Sequence, residues 1–162
     1  MNWPAVLGVV FAQKDRQIPS MAMVILLMFM FWVFVAHTIF ALFMGLQAMT
    51  NVTSSFAVLF EGNGPAMLAV GSMIGAGFAA VLFSITVVGL PLLLDREVDF
   101  ISAIIVSFQA VLTNIGPMII WGLVIALLLA IGMAPMFLGL FVVLPVLGHA
   151  TWHMYRELTT EG

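Results

Sequence analysis

Two long apolar runs limit what this chain can fold into. The runs from Ser20 to Ala48 and from Pro65 to Leu94 contain no Asp, Glu, Lys or Arg. Each exceeds the roughly 20 residues that a helix needs to cross a hydrocarbon core of about 30 Å. Because 64% of all residues are hydrophobic and only 7% are charged, the sequence predicts an all-α fold, a polytopic transmembrane helix bundle.

Composition also excludes several classes of site and partner. The 162 residues leave room for a single membrane domain. The absence of cysteine excludes disulfides, thiolate metal sites and cysteine nucleophiles. A net charge of −3 with four basic residues offers no electrostatic surface for nucleic acid. The expected partners are therefore the lipid bilayer, other membrane protein subunits, or further copies of the chain.

A third apolar run, which begins at Pro117, is too long for one crossing. The predicted turn is Gly132 to Pro135, since glycine loosens the backbone and proline removes a hydrogen-bond donor. The positive-inside rule favours this hairpin, because four spans place all four basic residues on one side. That side is then the cytoplasmic face of a bacterial inner membrane, and it holds both termini. The predicted spans are residues 20–48, 65–94, 117–132 and 136–156.

Three shorter segments predict amphipathic helices that lie in the membrane interface. Each places apolar residues before a polar turn and a proline that opens the next span, where a missing N–H costs nothing. In the third segment, polar residues recur at helical spacing opposite isoleucine and phenylalanine. The predicted interfacial helices are residues 4–13, 52–60 and 98–114.

His37 is the one ionisable side chain deep within a predicted span. With Ala41 and Gly45 it lies on a stripe of small residues at helical spacing, where another helix can approach. One interpretation is a neutral histidine that is hydrogen-bonded across a helix interface. The other is a cofactor site, with His37 as a haem ligand or as a contact for a quinone or pigment.

The segment "HATWH" places His149 and His153 on one face of a helix near the C-terminus. One interpretation is a two-histidine metal site completed by Asp95 or Glu97, although the glutamate of the stronger HExxH motif is missing. The other is an anchor at headgroup level, formed by Trp152, His153, Tyr155 and Arg156.

Small residues in the second predicted span indicate close helix packing. Gly71, Gly75 and Ala79 form a row at four-residue spacing, which lets a helix approach closely, from within the chain or from another protein. No predicted span contains a carboxylate, which argues against a proton-coupled carrier or ion pump. An uncoupled channel would have to use the few polar candidates, Gln47, Ser84 and Thr86.

Four segments resemble a known family: "FWVFVAHTIFALFMGLQAMTNV", "LPLLLDREVDFISAI", "NIGPMIIWG" and "MFLGLFVVLPVLGHATWHMYREL". They look like the prokaryotic integral membrane proteins known as domain of unknown function 2189, and the chain resembles the C-terminal part of longer members. The resemblance implies no particular activity, although some members are labelled as cytochrome c oxidase subunits. A catalytic oxidase subunit needs several intramembrane histidines, whereas this chain has three histidines in all.

The leading hypothesis is therefore a non-enzymatic structural, accessory or assembly subunit of a respiratory or photosynthetic inner-membrane complex, without a cofactor. The second is a haem-binding or metal-binding electron-transfer accessory that uses His37, or His149 with His153. The third is a small-solute channel or carrier.

Overall fold

The computed structural model describes residues 17–45 and 59–160, and this part of the chain is helical without strands. The predicted polytopic helical membrane bundle is confirmed. Of the predicted interfacial helices, residues 4–13 and most of 52–60 lie outside the described residues. The helices are α1 (Ile18–Met44), α2 (Gly64–Thr86), α3 (Gly89–Asp95), α4 (Phe100–Thr113), α5 (Ile115–Met133) and α6 (Leu140–Thr160).

Within the described ranges, three helical segments are long and apolar enough to cross a membrane. They are Ile18–Met44, Gly64–Asp95 and Ile115–Met133, of 27, 32 and 19 residues. The sequence predicts a fourth span at 136–156, but the helix there begins only at Leu140. Its C-terminal half is polar, with two histidines followed by Arg156 and Glu157, so α6 is not among these three segments.

The chain divides into two compact units. One comprises residues 23–82, with most of α1 and α2. The other comprises residues 83–160 together with the first turn of α1. In this second unit α3 packs on α4 and α6, and α5 packs on α6. Its largest fully buried side chains are Met21, Val88, Leu93, Ser107, Met118 and Tyr155.

The second span is interrupted between α2 and α3. Pro91 has no N–H, so it cannot donate to the carbonyl four residues before it. The helix breaks at Val87 and Val88, and the buried N–H of Val88 donates to the Ser107 hydroxyl at 3.2 Å. Gly89 follows, where an added Cβ would lie 3.3 Å from the Ala103 carbonyl oxygen. The break therefore brings the backbone of α3 directly against α4.

The Val88 hydrogen bond leads to a testable prediction. Substitution Ser107→Ala removes the acceptor and leaves a buried N–H unsatisfied, which should cost about 1–3 kcal/mol of the free energy of unfolding. Equilibrium unfolding in mixed detergent micelles, followed by circular dichroism, measures this loss. Thr113→Ala, at an exposed position on the same helix, is the matched control and should leave stability nearly unchanged. If the Ser107→Ala and Thr113→Ala proteins were equally stable, the Ser107 hydroxyl would not stabilise the fold through Val88.

Helix α4 corresponds to the predicted interfacial helix at 98–114. Asp99 caps its N-terminus, with Oδ2 accepting from the Ser102 N–H at 3.0 Å. Hydrogen bonds from the side chain and then the backbone of Ser102 lower the pKa of Asp99. The face that packs inward is formed by the small or β-branched residues Ala103, Ser107 and Val111, and Ile101, Ile105 and Phe108 are exposed. Small side chains pack inward because α3 lies so close.

The third apolar run folds as two helices joined by a turn at residues 134–139. Val143 and Leu140 lie 3.2 and 3.0 Å from the position of a Cβ on Gly132, so the chain turns back on itself. At Gly139 the backbones touch, because an added Cβ would lie 2.8 Å from the Gly132 Cα and carbonyl oxygen. The segment is therefore a hairpin and not one kinked helix.

Candidate functional site

In the unit of residues 23–82, α1 and α2 run antiparallel and touch at two levels. Near the polar turn, the Asn63 side-chain amide donates to the Phe43 carbonyl at 3.3 Å, which satisfies one of the last carbonyls of α1. Deeper in the span, the Trp32 ring lies 3.0 Å from where a Cβ on Gly75 would be. The same indole stacks at a tilt on Phe78, with ring centroids 5.4 Å apart.

Between these two contacts, α1 and α2 leave a groove of about 560 Å³. This volume falls within the range of about 300–1,000 Å³ that is usual for binding pockets. Gly71 lies in the groove wall, and nothing lies within 4 Å of the position its Cβ would take. Ser72 supplies the one side-chain polar atom that can form a strong hydrogen bond apart from the indole N–H. The groove is lined by Trp32, Ala36, Ile39, Phe40, Met67, Leu68, Gly71, Ser72 and Gly75.

The groove exists because Trp32 occupies the space that the small residues leave. The row Gly71, Gly75 and Ala79 predicts close packing between helix backbones, yet the thick indole ring lies on Gly75. Ala79 is exposed. The α1–α2 interface is thus spaced by an aromatic ring, and Gly71 faces open space beside it.

Of the two small residues predicted to form a stripe with His37 on α1, one lies within the helix and the other lies just after it. Ala41 is half-buried in the helix. Gly45 lies just beyond the helix with φ +75°, and its N–H donates to the Ala41 carbonyl at 3.0 Å. That left-handed geometry is the usual glycine stop at a helix C-terminus. Gly45 therefore ends α1, and no atom of the described chain lies within 4 Å of the position of its Cβ.

His37 lies on the exposed surface of α1 and not in the groove. Its Nδ1 is 2.7 Å from the Val33 carbonyl oxygen. Because a carbonyl can only accept, Nδ1 carries the proton, and in the neutral ring Nε2 keeps its lone pair. The neighbouring Thr38 hydroxyl likewise donates to the Phe34 carbonyl at 2.9 Å. Both polar side chains thus donate to a carbonyl of their own helix.

The terminal histidines are not joined by the predicted acidic ligands. His149 Nδ1 hydrogen-bonds the Pro145 carbonyl at 3.1 Å, and His153 is exposed. Asp95 instead accepts a hydrogen bond from the Tyr155 hydroxyl at 3.0 Å. Among the described residues, no three histidine, aspartate or glutamate side chains form a group that could hold a metal ion.

Tyr155 is buried in the protein, whereas the sequence predicts that it is exposed as part of a headgroup anchor. An anchor at headgroup level would expose the ring, whereas Tyr155 is 0% exposed and stacks on Trp152 with centroids 5.6 Å apart. A buried tyrosine needs a partner for its hydroxyl, and Asp95 supplies one. The bond joins the C-terminal end of α6 to the end of α3.

Of the three polar candidates for a solute path, two lie in the described part of the chain. Ser84 and Thr86 are half-buried, and Gln47 lies outside the described residues.

Comparison with known proteins adds one match. The profile of the family described as "Predicted integral membrane protein (DUF2189)" matches residues 1–95. The chain belongs to this family. No curated protein and no solved structure matches the chain.

The match divides the candidate residues of this DUF2189 protein. His37, the α1–α2 groove and Asp95 all lie within residues 1–95. The terminal histidine pair and the segment "VLPVLGHATWH" lie outside it. The residues that line the groove therefore lie in the part of the chain that the family profile matches. The family description establishes an integral membrane protein.

Proposed function

We propose that this chain is a non-enzymatic accessory or assembly subunit of a bacterial inner-membrane complex, respiratory or photosynthetic. Its α1–α2 groove receives a transmembrane helix of a partner subunit, and both of its termini are cytoplasmic. The observation that carries this proposal is the groove itself, an open space at Gly71 that lies beside a bulky spacer, Trp32.

Two physical arguments support a helix as the occupant. Lipid tails are as apolar as leucine, so helices in a membrane associate through van der Waals packing and interhelical hydrogen bonds, and small residues allow their backbones to approach. The groove offers Gly71 and Ala36 for close approach and the Ser72 hydroxyl for a hydrogen bond. Its lining carries no charged side chain, as expected for a contact at membrane depth.

The side chains of the described spans suit a subunit that catalyses no reaction of its own. Within the described spans, His37 is the one side chain of His, Asp, Glu, Lys or Arg type before Asp95, and it hydrogen-bonds its own helix. Catalysis at membrane depth usually employs ionisable groups that are held by partners on other helices. The large exposed apolar surface of α1 and α2 suits contact with lipid and with other subunits.

The first experiment is extraction of the tagged protein from its native membranes in mild detergent, with identification of what co-purifies in stoichiometric amount. We expect one or more membrane subunits of a larger complex. A chain that emerges alone or only as a homo-oligomer would contradict the proposal. Stoichiometric haem or metal in the preparation would favour the electron-transfer accessory instead.

The variant Gly71→Leu tests whether the groove makes the contact. The new side chain enters open space, so the chain itself should fold as before. The leucine then occupies the part of the groove in which the partner helix would pack. Overpacking costs about 1–3 kcal/mol, which weakens association about 5- to 160-fold. The recovered partner, quantified against the tagged chain, measures the effect.

Gly77→Leu is the matched control for this variant. Gly77 is exposed on the same helix, has nothing within 4 Å of its Cβ position, and does not line the groove. We expect it to retain the partner at the wild-type level. If the two variants retain the partner equally, the groove is not the docking surface, even where a complex exists.

A further inference from the structure

Helix α4 has three chemically different sides, whereas the sequence predicts two. The packed side is formed by the buried residues Ala103, Ser107 and Val111. The apolar side is 40 to 59% exposed and is formed by Ile101, Ile105, Phe108 and Leu112. The polar side, also exposed, is formed by Ser102, Gln109 and Thr113. At about 100° per residue, the polar side lies about 90° from the apolar side, and Val106 lies between the polar and packed sides.

The packed side holds α4 close to the charged residues 95–97. The Ser107 hydroxyl accepts a hydrogen bond from the Val88 N–H. The Ala103 carbonyl oxygen lies 3.3 Å from the position of a Cβ on Gly89. Val88 precedes Asp95 by seven residues, which corresponds to about 10 Å along a helix. Helix α4 therefore packs close to the point at which the apolar run of the second span ends.

The length and the polar side of α4 orient it along the membrane plane. Its 14 residues rise about 21 Å, which is less than a hydrocarbon core of about 30 Å. The polar side extends over positions 102 to 113, and Asp99 and Asn114 adjoin the two ends. Among the described residues, none hydrogen-bonds the Gln109 side chain, so its amide needs water. A helix that pointed into the bilayer would place part of this side in hydrocarbon, whereas a helix parallel to the plane keeps all of it in water.

We propose that α4 lies at the membrane surface next to Asp95, with acyl chains covering its apolar side and water covering its polar side. Lipid is the committed occupant because the lipid–water boundary supplies an apolar and an aqueous environment side by side along the whole helix. The helix contains no charged side chain, so the contact does not depend on anionic headgroups. The apolar side is then a lipid contact and not an interface with a partner subunit, whatever occupies the α1–α2 groove.

The natural absence of cysteine allows single labels to test this placement. The variants Ile105→Cys and Leu112→Cys carry a nitroxide on the apolar side, and the protein is reconstituted in phosphatidylcholine nanodiscs. Power-saturation EPR measures collisions of the label with O₂, which concentrates in hydrocarbon, and with a neutral nickel chelate, which stays in water. Gln109→Cys, on the polar side of the same helix, is the matched control, and circular dichroism verifies that helicity is unchanged.

We expect O₂ collisions to exceed nickel collisions at positions 105 and 112, and the reverse at position 109. Greater nickel access at 105 and 112 would mean that water covers this side, and low access to both reagents would mean that protein covers it. Either result would overturn the proposal, as would greater O₂ access at 109. Phosphatidylglycerol added to the nanodiscs should leave the ratio of the two collision rates unchanged, and a higher O₂ share would overturn the independence from headgroup charge. Two label positions keep the test decisive if one variant fails to fold.

A second measurement tests the occupant in the native membrane, where partner subunits are present. Phe108 is replaced by p-benzoylphenylalanine, which bonds covalently to neighbouring C–H groups under near-ultraviolet light, and mass spectrometry identifies the adducts of the tagged chain. We expect adducts of phospholipid mass. A cross-link to a protein would overturn the proposal, even where the labels contact lipid in nanodiscs.

Discussion

Gly139→Ala is expected to destabilise the α5–α6 hairpin by about 3 kcal/mol, near the upper end of the usual range for overpacking. The added Cβ would lie 2.8 Å from two backbone atoms of Gly132, its Cα and its carbonyl oxygen. No side-chain rotation can relieve a clash with backbone, so the hairpin must open. Equilibrium unfolding in mixed detergent micelles, followed by circular dichroism, gives the change in the free energy of unfolding.

Gly148→Ala is the control for this substitution. It makes the same change on α6 at a site where nothing lies within 4 Å of the new Cβ. Since alanine is favoured over glycine in a helix by up to about 1 kcal/mol, this variant should be as stable as the wild type or slightly more stable. A Gly139→Ala protein of wild-type stability would show that the two backbones do not touch.

Tyr155→Ala is expected to cost about 3–5 kcal/mol, as for other fully buried aromatic side chains. The substitution empties a site that is 0% exposed, and it removes the stacking on Trp152 and the hydrogen bond to Asp95. Tyr155→Phe retains the ring and loses the hydroxyl alone. Because the Asp95 side chain is 41% exposed and water can replace the lost donor, Phe should cost only about 1 kcal/mol.

The comparison of the two variants separates packing from hydrogen bonding at the junction of α3 and α6. His153→Ala, two residues away and exposed, should change stability by no more than about 0.5 kcal/mol. The same unfolding experiment measures all three variants. If Ala were no more harmful than Phe, the ring would not be part of the packed junction.

The contrast between Tyr155 and its neighbours shows how far the sequence reaches at the candidate sites. Aromatic and basic residues at the end of an apolar run predict a headgroup anchor, and one helical turn of sequence cannot reveal that Asp95 lies 60 positions earlier but only 3.0 Å away. His149 and His153 are predicted neighbours on their helix, yet the third ligand of a metal site depends on which helix lies alongside.

The small residues of α2 also show that local sequence does not identify a packing partner. Their spacing predicts a face on which another group can approach closely. At Gly75 the approaching group is the Trp32 ring, whereas no group approaches Gly71. Small-residue spacing describes a surface, and it does not specify what fills the space above it.

By itself, the sequence determined that this is a membrane protein, that it is helical, and approximately where its first two long apolar helices and the turn near Gly132 lie. These follow from local quantities, because apolar length, proline and glycine act on the few residues around them. Only the tertiary structure decided that α1 and α2 leave a groove, that α3 packs between α4 and α6, and that Tyr155 bonds Asp95. Those features depend on contacts between residues far apart in the chain, whose partners are selected by the packing of whole helices.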